Sequence, residues 1–188
     1  MGERMNVVTR LVRVCSLFGA GLAAVLLALP LFSGALLRAQ QTPPPDPADV
    51  ADGMRLYRTK ADCQTCHGWA ADGRKMDTQM PDAPSLRATR LGRAGVVFAI
   101  KCGRPGRGMP AFDRLAYTDA ARCNGTTLAD LQKNGQTLTD PPATLQPREI
   151  EMIADFLFDK VIGKGPMDHA KCVEYWGEDV DACSEFPK

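Results

Sequence analysis

Hydrophobic residues are spread very unevenly along this chain. Val14 to Leu37 is a run of 24 residues without a charge, preceded by Arg4, Arg10 and Arg13 and closed by Arg38. A basic stretch followed by an apolar one predicts an export signal. Ser33-Gly34-Ala35 offers small residues for cleavage, and Arg38-Ala39 is a second, weaker place. At about 1.5 Å rise per residue the run is also long enough to cross a bilayer uncleaved. Either outcome leaves the arginines in the cytoplasm and exports the remainder. Val14 is not the small residue that a lipoprotein site needs before its cysteine, so Cys15 reads as an apolar member of the run. Residues 1–40 therefore read as a signal peptide or an uncleaved membrane anchor, with residues 14–37 the only membrane contact expected if the segment is uncleaved.

Beyond this run the pattern breaks into short segments. "QQTPPPDP" is proline-rich and predicts an extended spacer over residues 41–48. A helix is expected from about Asp46 or Pro47, with Val50, Met54, Leu56 and Tyr57 as its apolar positions. Asp77 to Arg87, with Pro81 and Pro84, reads as loop. "GVVFAI" predicts a short helix within Leu91–Lys101, ended by Gly103. Gly103 to Pro110 is rich in glycine and proline and reads as loop. Thr118 to Pro142 is polar, with one helical turn expected at Leu128–Lys133. Pro147 suits the first turn of a helix whose apolar positions are Ile150, Ile153, Ala154, Leu157 and Val161. Residues 162–188 read as a tail. Strand signals are weak, which predicts an all-α domain.

Composition changes the picture in two ways. Past residue 40 there are 19 basic and 21 acidic side chains, so nothing suggests nucleic-acid binding. Seven cysteines in 188 residues require an explanation through compartment or cofactor.

Cys63-Gln64-Thr65-Cys66-His67 supplies that explanation. Two thiols at this spacing can add to the two vinyl groups of a haem as thioethers, and the adjoining imidazole can ligate the iron. A thioredoxin-like pair needs a βαβ context, which is missing here. A zinc site needs more ligands than His67, His169 and a lone CxxC provide.

Over about Asp49 to Val161 the chain resembles a class I c-type cytochrome. The resemblance rests on Cys63, Cys66 and His67, on the preceding helix with Gly53 and Tyr57, on "GMPAF" at Gly108–Phe112 and on "REIEMIADFLF". It implies a cytochrome c fold: a small helical domain, residues 49–161, around one haem c per chain. It also implies that the first and last helices cross at Gly53 and Phe156, and that Pro84 lies beside His67. Residues 113–145 would then be an insertion after the methionine loop.

The family places a methionine ligand in a loop like "GRGMPAF", which makes Met109 the candidate sixth ligand. Gly108 admits close approach and Pro110 stiffens the loop. Met76, Met80, Met167 and His169 stay open as alternatives. Arg104 and Arg107 are candidates to pair with haem propionates. Cys102, Cys123, Cys172 and Cys183 remain, and four cysteines allow three pairings. We favour the local one, Cys102–Cys123 with Cys172–Cys183, each worth on the order of 3 kcal/mol. These bridges would pin the insertion and the tail, and the class I pattern requires neither.

Nine basic residues against three acidic ones lie between Arg74 and Arg114, while Glu149–Lys188 carries ten acidic residues and four lysines. Such a dipole can orient a partner. The expected function is single-electron transfer in the periplasm, from a dehydrogenase to an oxidase or another cytochrome, with no catalytic residue of its own. A haem-bearing structural subunit of a membrane-bound respiratory or dehydrogenase complex is one alternative. An open-site haem enzyme or a gas or redox sensor is another.

Overall fold

A computed structural model describes residues 44–188. The export or anchor segment and the first three residues of the proline-rich spacer, 41–43, lie outside the described residues. Among the described residues no helix is long and apolar enough to cross a membrane. They form helices and loops without a strand, apart from isolated bridges at Arg104–Met109 and Cys123–Thr126.

Helix α1 spans Pro47–Arg58. Proline is tolerated at its start, where its missing N–H has no helical partner, and the Asp46 carboxylate caps it by accepting from the Ala48 N–H. A single turn, α2, spans Gln64–His67 and carries the haem motif. Helix α3 is Arg93–Cys102 and begins after the extended Gly92, two residues later than the apolar pattern suggests. Helix α4, Leu128–Lys133, opens with a capping box between Thr127 and Asp130.

Helix α5, Pro147–Phe156, opens with a reciprocal Gln146–Glu149 pairing. Its apolar series does not continue as one α-helix to Val161. Leu157–Val161 forms a π-helical turn, closed by the Ile162 N–H donating to the Leu157 carbonyl at 2.7 Å. Such turns often occur at functional sites, and Leu157 and Ile162 both line the cavity described below.

The core forms where α1 crosses α5. Gly53 makes the crossing possible. A Cβ there would lie 1.9 Å from the Met152 carbonyl oxygen and 3.0 Å from the Phe156 Cβ. The resemblance pairs Gly53 with Phe156 alone, whereas the tightest approach is to the Met152 backbone. Tyr57 stacks at a tilt on Phe156 with ring centroids 5.5 Å apart. Both are fully buried, together with Ile153 and Ala154. Helix α3 joins this core through Val96 and Ile100, and Arg93 ties it to Asp155 and Glu151 at 2.7 Å each.

Two further clusters stand beside the core, each built on a cystine. Cys102 pairs with Cys123, with Ala111, Ala116, Phe98, Tyr117 and Leu138 around them. The Tyr117 hydroxyl donates to the Cys102 carbonyl at 2.7 Å. Cys172 pairs with Cys183 in the tail, against Ala70, Met167, Phe186 and Trp69. The tail is more ordered than its polar sequence suggests. It contains helix α6, His169–Trp176, capped by Asp168, and a 3₁₀ turn at Asp181–Glu185. A helix of eight residues is too short to announce itself by periodicity. Trp69, Tyr175, Trp176 and Phe186 form it by stacking, with centroids 5.3–5.7 Å apart.

Glu149 joins the two crossing helices. It caps α5 and accepts from Lys60, just past α1, at 2.6 Å. Burial alone raises its carboxyl pKa, but the hydrogen bonds from Lys60 and from the Gln146 N–H outweigh this and hold it low. A depressed carboxyl contributes stability above its ordinary pKa and loses it as pH falls through the folded value. Glu149→Gln should therefore cost about 1 kcal/mol at pH 7. The gap from the parent should narrow as pH falls below the ordinary carboxylate range. Urea melts at pH 7 and below that range check this.

Candidate functional site

The haem motif is presented by a short, sharply turned segment. The Ala61 and Cys63 N–H groups donate to Leu56 and Tyr57 at the end of α1. Asp62 takes a left-handed φ of 46° to make that turn, and Gly68 ends α2 at φ 79°. A Cβ on Gly68 would lie 2.5 Å from the Arg74 carbonyl oxygen, so the position excludes any side chain.

Three contacts hold the residues that follow. The His67 Nδ1 lies 2.9 Å from the Pro84 carbonyl oxygen and donates to it. This assigns the proton to Nδ1 and leaves the Nε2 lone pair free as a ligand. Burial lowers the imidazole pKa, and the Pro84 contact partly offsets this, so the ring is neutral at pH 7. The buried Tyr57 hydroxyl donates to the Gly68 carbonyl at 2.8 Å. Burial, with a smaller effect of Cys63, pushes the Tyr57 pKa well up and keeps the phenol a donor. The Arg87 Nε donates to the Ala70 carbonyl at 2.7 Å.

The two thiols are not bonded to each other. Burial pushes Cys63 up to about 12, and burial also raises Cys66. A disulfide-exchanging pair needs a lowered thiol pKa, so these values argue against that chemistry. Among the described residues no three His, Cys, Asp or Glu side chains converge as a metal site.

A cavity of about 1350 Å³ adjoins the motif. Its apolar lining includes Leu86, Val96, Phe112 and Leu157, and Tyr57, Cys63, Cys66, His67 and Pro84 reach it. The 104–110 loop contributes Arg104, Arg107 and Met109. That loop is folded on itself. The Arg104 N–H donates to the Met109 carbonyl at 2.9 Å, and Gly103, at φ 64°, lies where a Cβ would be 2.5 Å from the Pro110 carbonyl carbon. Apolar walls, two thiols and an imidazole with a free Nε2 fit a flat, vinyl-bearing macrocycle, and two guanidiniums fit its carboxylates.

The other sulfur and imidazole candidates separate clearly. Met80 lines the same cavity, although its place soon after His67 suggests the proximal side alone. The next residue, Pro81, meets the methionine loop: a Cβ on Gly108 would lie 2.8 Å from the Pro81 Cγ. Met76 is 59% exposed, Met167 is buried in the tail cluster, and His169 pairs with Asp179 at 3.1 Å. The last three do not reach the cavity lining.

The basic segment is also redistributed. Arg74, Lys75, Arg93 and Lys101 pair with carboxylates at 2.7–4.0 Å, and Arg87 is buried. Arg90, Arg104, Arg107 and Arg114 make no ion pair among the described residues. Sequence reasoning missed two contributors. The end of the insertion, Thr139 to Pro142, lines the cavity, and the Gly106 N–H donates to the Thr137 carbonyl at 2.8 Å. Arg87 is the other, and its only sequence signal is its place three residues after Pro84.

Residues 48–124 match the family model described as cytochrome C oxidase, cbb3-type, subunit III. The match runs from α1 through the haem motif and the methionine loop to just past Cys123. No curated protein and no solved structure gives a significant match.

Tyr57→Phe removes one of the three contacts on the haem-bearing segment and strands the buried Gly68 carbonyl. The haem-loaded variant should be about 1–3 kcal/mol less stable to denaturant than the parent.

Proposed function

We propose that this chain, a c-type cytochrome with an all-α fold, is an exported monohaem carrier that passes single electrons between redox proteins in the periplasm. The observation that carries the reading is the cavity itself, lined by Cys63, Cys66 and His67 of the motif and by Met109 of the folded loop. Cys63 and Cys66 would hold haem c through thioethers, and His67 would ligate its iron through Nε2. Met109 would supply a second iron ligand from the folded loop. Arg104 and Arg107 face the propionates, and Pro84 orients His67 through its carbonyl. The bound haem supplies a one-electron ferric–ferrous couple. His67 and Met109, which would hold the iron, both sit on short, hydrogen-bonded segments, so the chain itself would have little to rearrange.

One haem per chain follows from the single CxxCH in the sequence. Cytochrome c domains are typically extracellular or periplasmic, and the 1–40 segment supports export. The partners are a periplasmic dehydrogenase as donor and an oxidase or another cytochrome as acceptor. The cations without ion partners, Arg90, Arg104, Arg107 and Arg114, favour an acidic docking surface on at least one of them.

The family match favours a second reading, because it is to an oxidase subunit. In that reading the domain works while held in a membrane complex, with residues 14–37 as its anchor.

Met109→Ala should abolish the weak far-red methionine–iron absorption of the oxidised protein and let the reduced protein bind carbon monoxide. An unchanged spectrum would show that Met109 is not the ligand, and Met80→Ala then becomes decisive, since Met80 shares the cavity. Release of the native protein by salt supports the carrier. Release by detergent alone, with oxidase subunits co-purifying, supports the complex.

A further inference from the structure

We propose that Arg87 is a buried cation that raises the reduction potential of the haem, and that the cystine-closed tail exists in part to keep it dry. The inference rests on His67 being an iron ligand. Arg87 is the one charged side chain among the described residues that is classed as buried, at 8% exposed. Its neighbours Leu86 and Ala88 line the cavity, while its own guanidinium turns behind that wall.

The guanidinium is held by neutral groups. Nε donates to the Ala70 carbonyl at 2.7 Å, Nη1 to the Gly165 carbonyl at 3.1 Å, and Nη2 lies 3.8 Å from the Met167 Sδ. The carboxylates that act on it are Asp72 and Asp168. Each already has its own cation: Asp72 pairs with Arg74 at 2.7 Å, and Asp168 with Lys171. Burial lowers the Arg87 pKa, but an arginine stays protonated throughout the ordinary range. A full positive charge therefore lies against the Ala70 carbonyl, and Ala70 is three residues along the backbone from His67.

Its sign decides its effect. Oxidation adds one positive charge at the iron. A nearby fixed cation in a low-dielectric setting disfavours that form and raises the potential. The tail supplies the low-dielectric setting. Gly165 and Met167 close over the guanidinium, and Met167 packs in the cluster that holds the Cys172–Cys183 cystine. Structural bracing of Ala70 alone would need only the donors, whereas tuning needs the charge.

Spectroelectrochemical titration of the holoprotein separates the two. Arg87→Gln should lower the midpoint potential with the α and Soret bands unmoved, while Arg87→Lys should keep most of the parent value. Met167→Glu places a carboxylate beside the intact guanidinium and should also lower the midpoint, which decides the matter if Arg87→Gln does not fold. An unchanged midpoint in either folded neutralising variant, or an equal fall in Arg87→Lys and Arg87→Gln, would overturn the proposal. A parent protein with no covalent haem spectrum would instead overturn the haem reading on which it rests.

Discussion

The turn that carries the CxxCH motif is held by three hydrogen bonds, each from a different part of the fold. Pro84, in the loop beyond the motif, accepts from His67, Tyr57 of α1 donates to Gly68, and Arg87 donates to Ala70. A segment this short has little secondary structure of its own, since α2 is a single turn. A helix so short is not stable alone, so tertiary contacts must place it. Tyr57 can do so only because α1 and α5 cross closely enough at Gly53 to bury it against Phe156. Arg87 can do so only because the tail gives its remaining donors somewhere to go.

The second side of the cavity follows the same logic with different means. The 104–110 loop folds back on itself through Gly103 and the Arg104–Met109 bridge. The insertion then braces it: the cystine at Cys102 fixes its root, and Gly106 bonds to Thr137 on the returning strand of chain. An unbraced loop would hold Met109 at the cavity only at a cost in conformational entropy. Here that ordering is done during folding. The insertion and the tail thus act on opposite ends of one site, one behind the loop of Met109 and one behind the segment of His67.

Much of this was legible in the residues. The helix starts at Pro47 and Pro147 follow from first-turn prolines, which are local signals. The all-α class followed from weak strand patterns. Helix α6 was not legible, because stacking on Trp69, distant in sequence, forms it. The break at Leu157 was not legible either, since a π turn keeps the same apolar residues and changes only their register. The basic stretch from Arg74 to Arg114 looked like one positive face. In the fold, carboxylates as distant as Glu151 and Asp155 neutralise part of it.

By itself, the sequence determined which chemical groups stand together in the CxxCH motif. The thiols and imidazole of Cys63, Cys66 and His67 are neighbours along the chain, so their spacing alone states what they can hold together. Tertiary structure decided what surrounds them: that Met80 as well as Met109 reaches the cavity, that His169 and Met167 do not, and that Arg87 is sealed behind the wall. These outcomes depend on contacts between segments tens of residues apart. Composition and periodicity carry no record of which such segments meet.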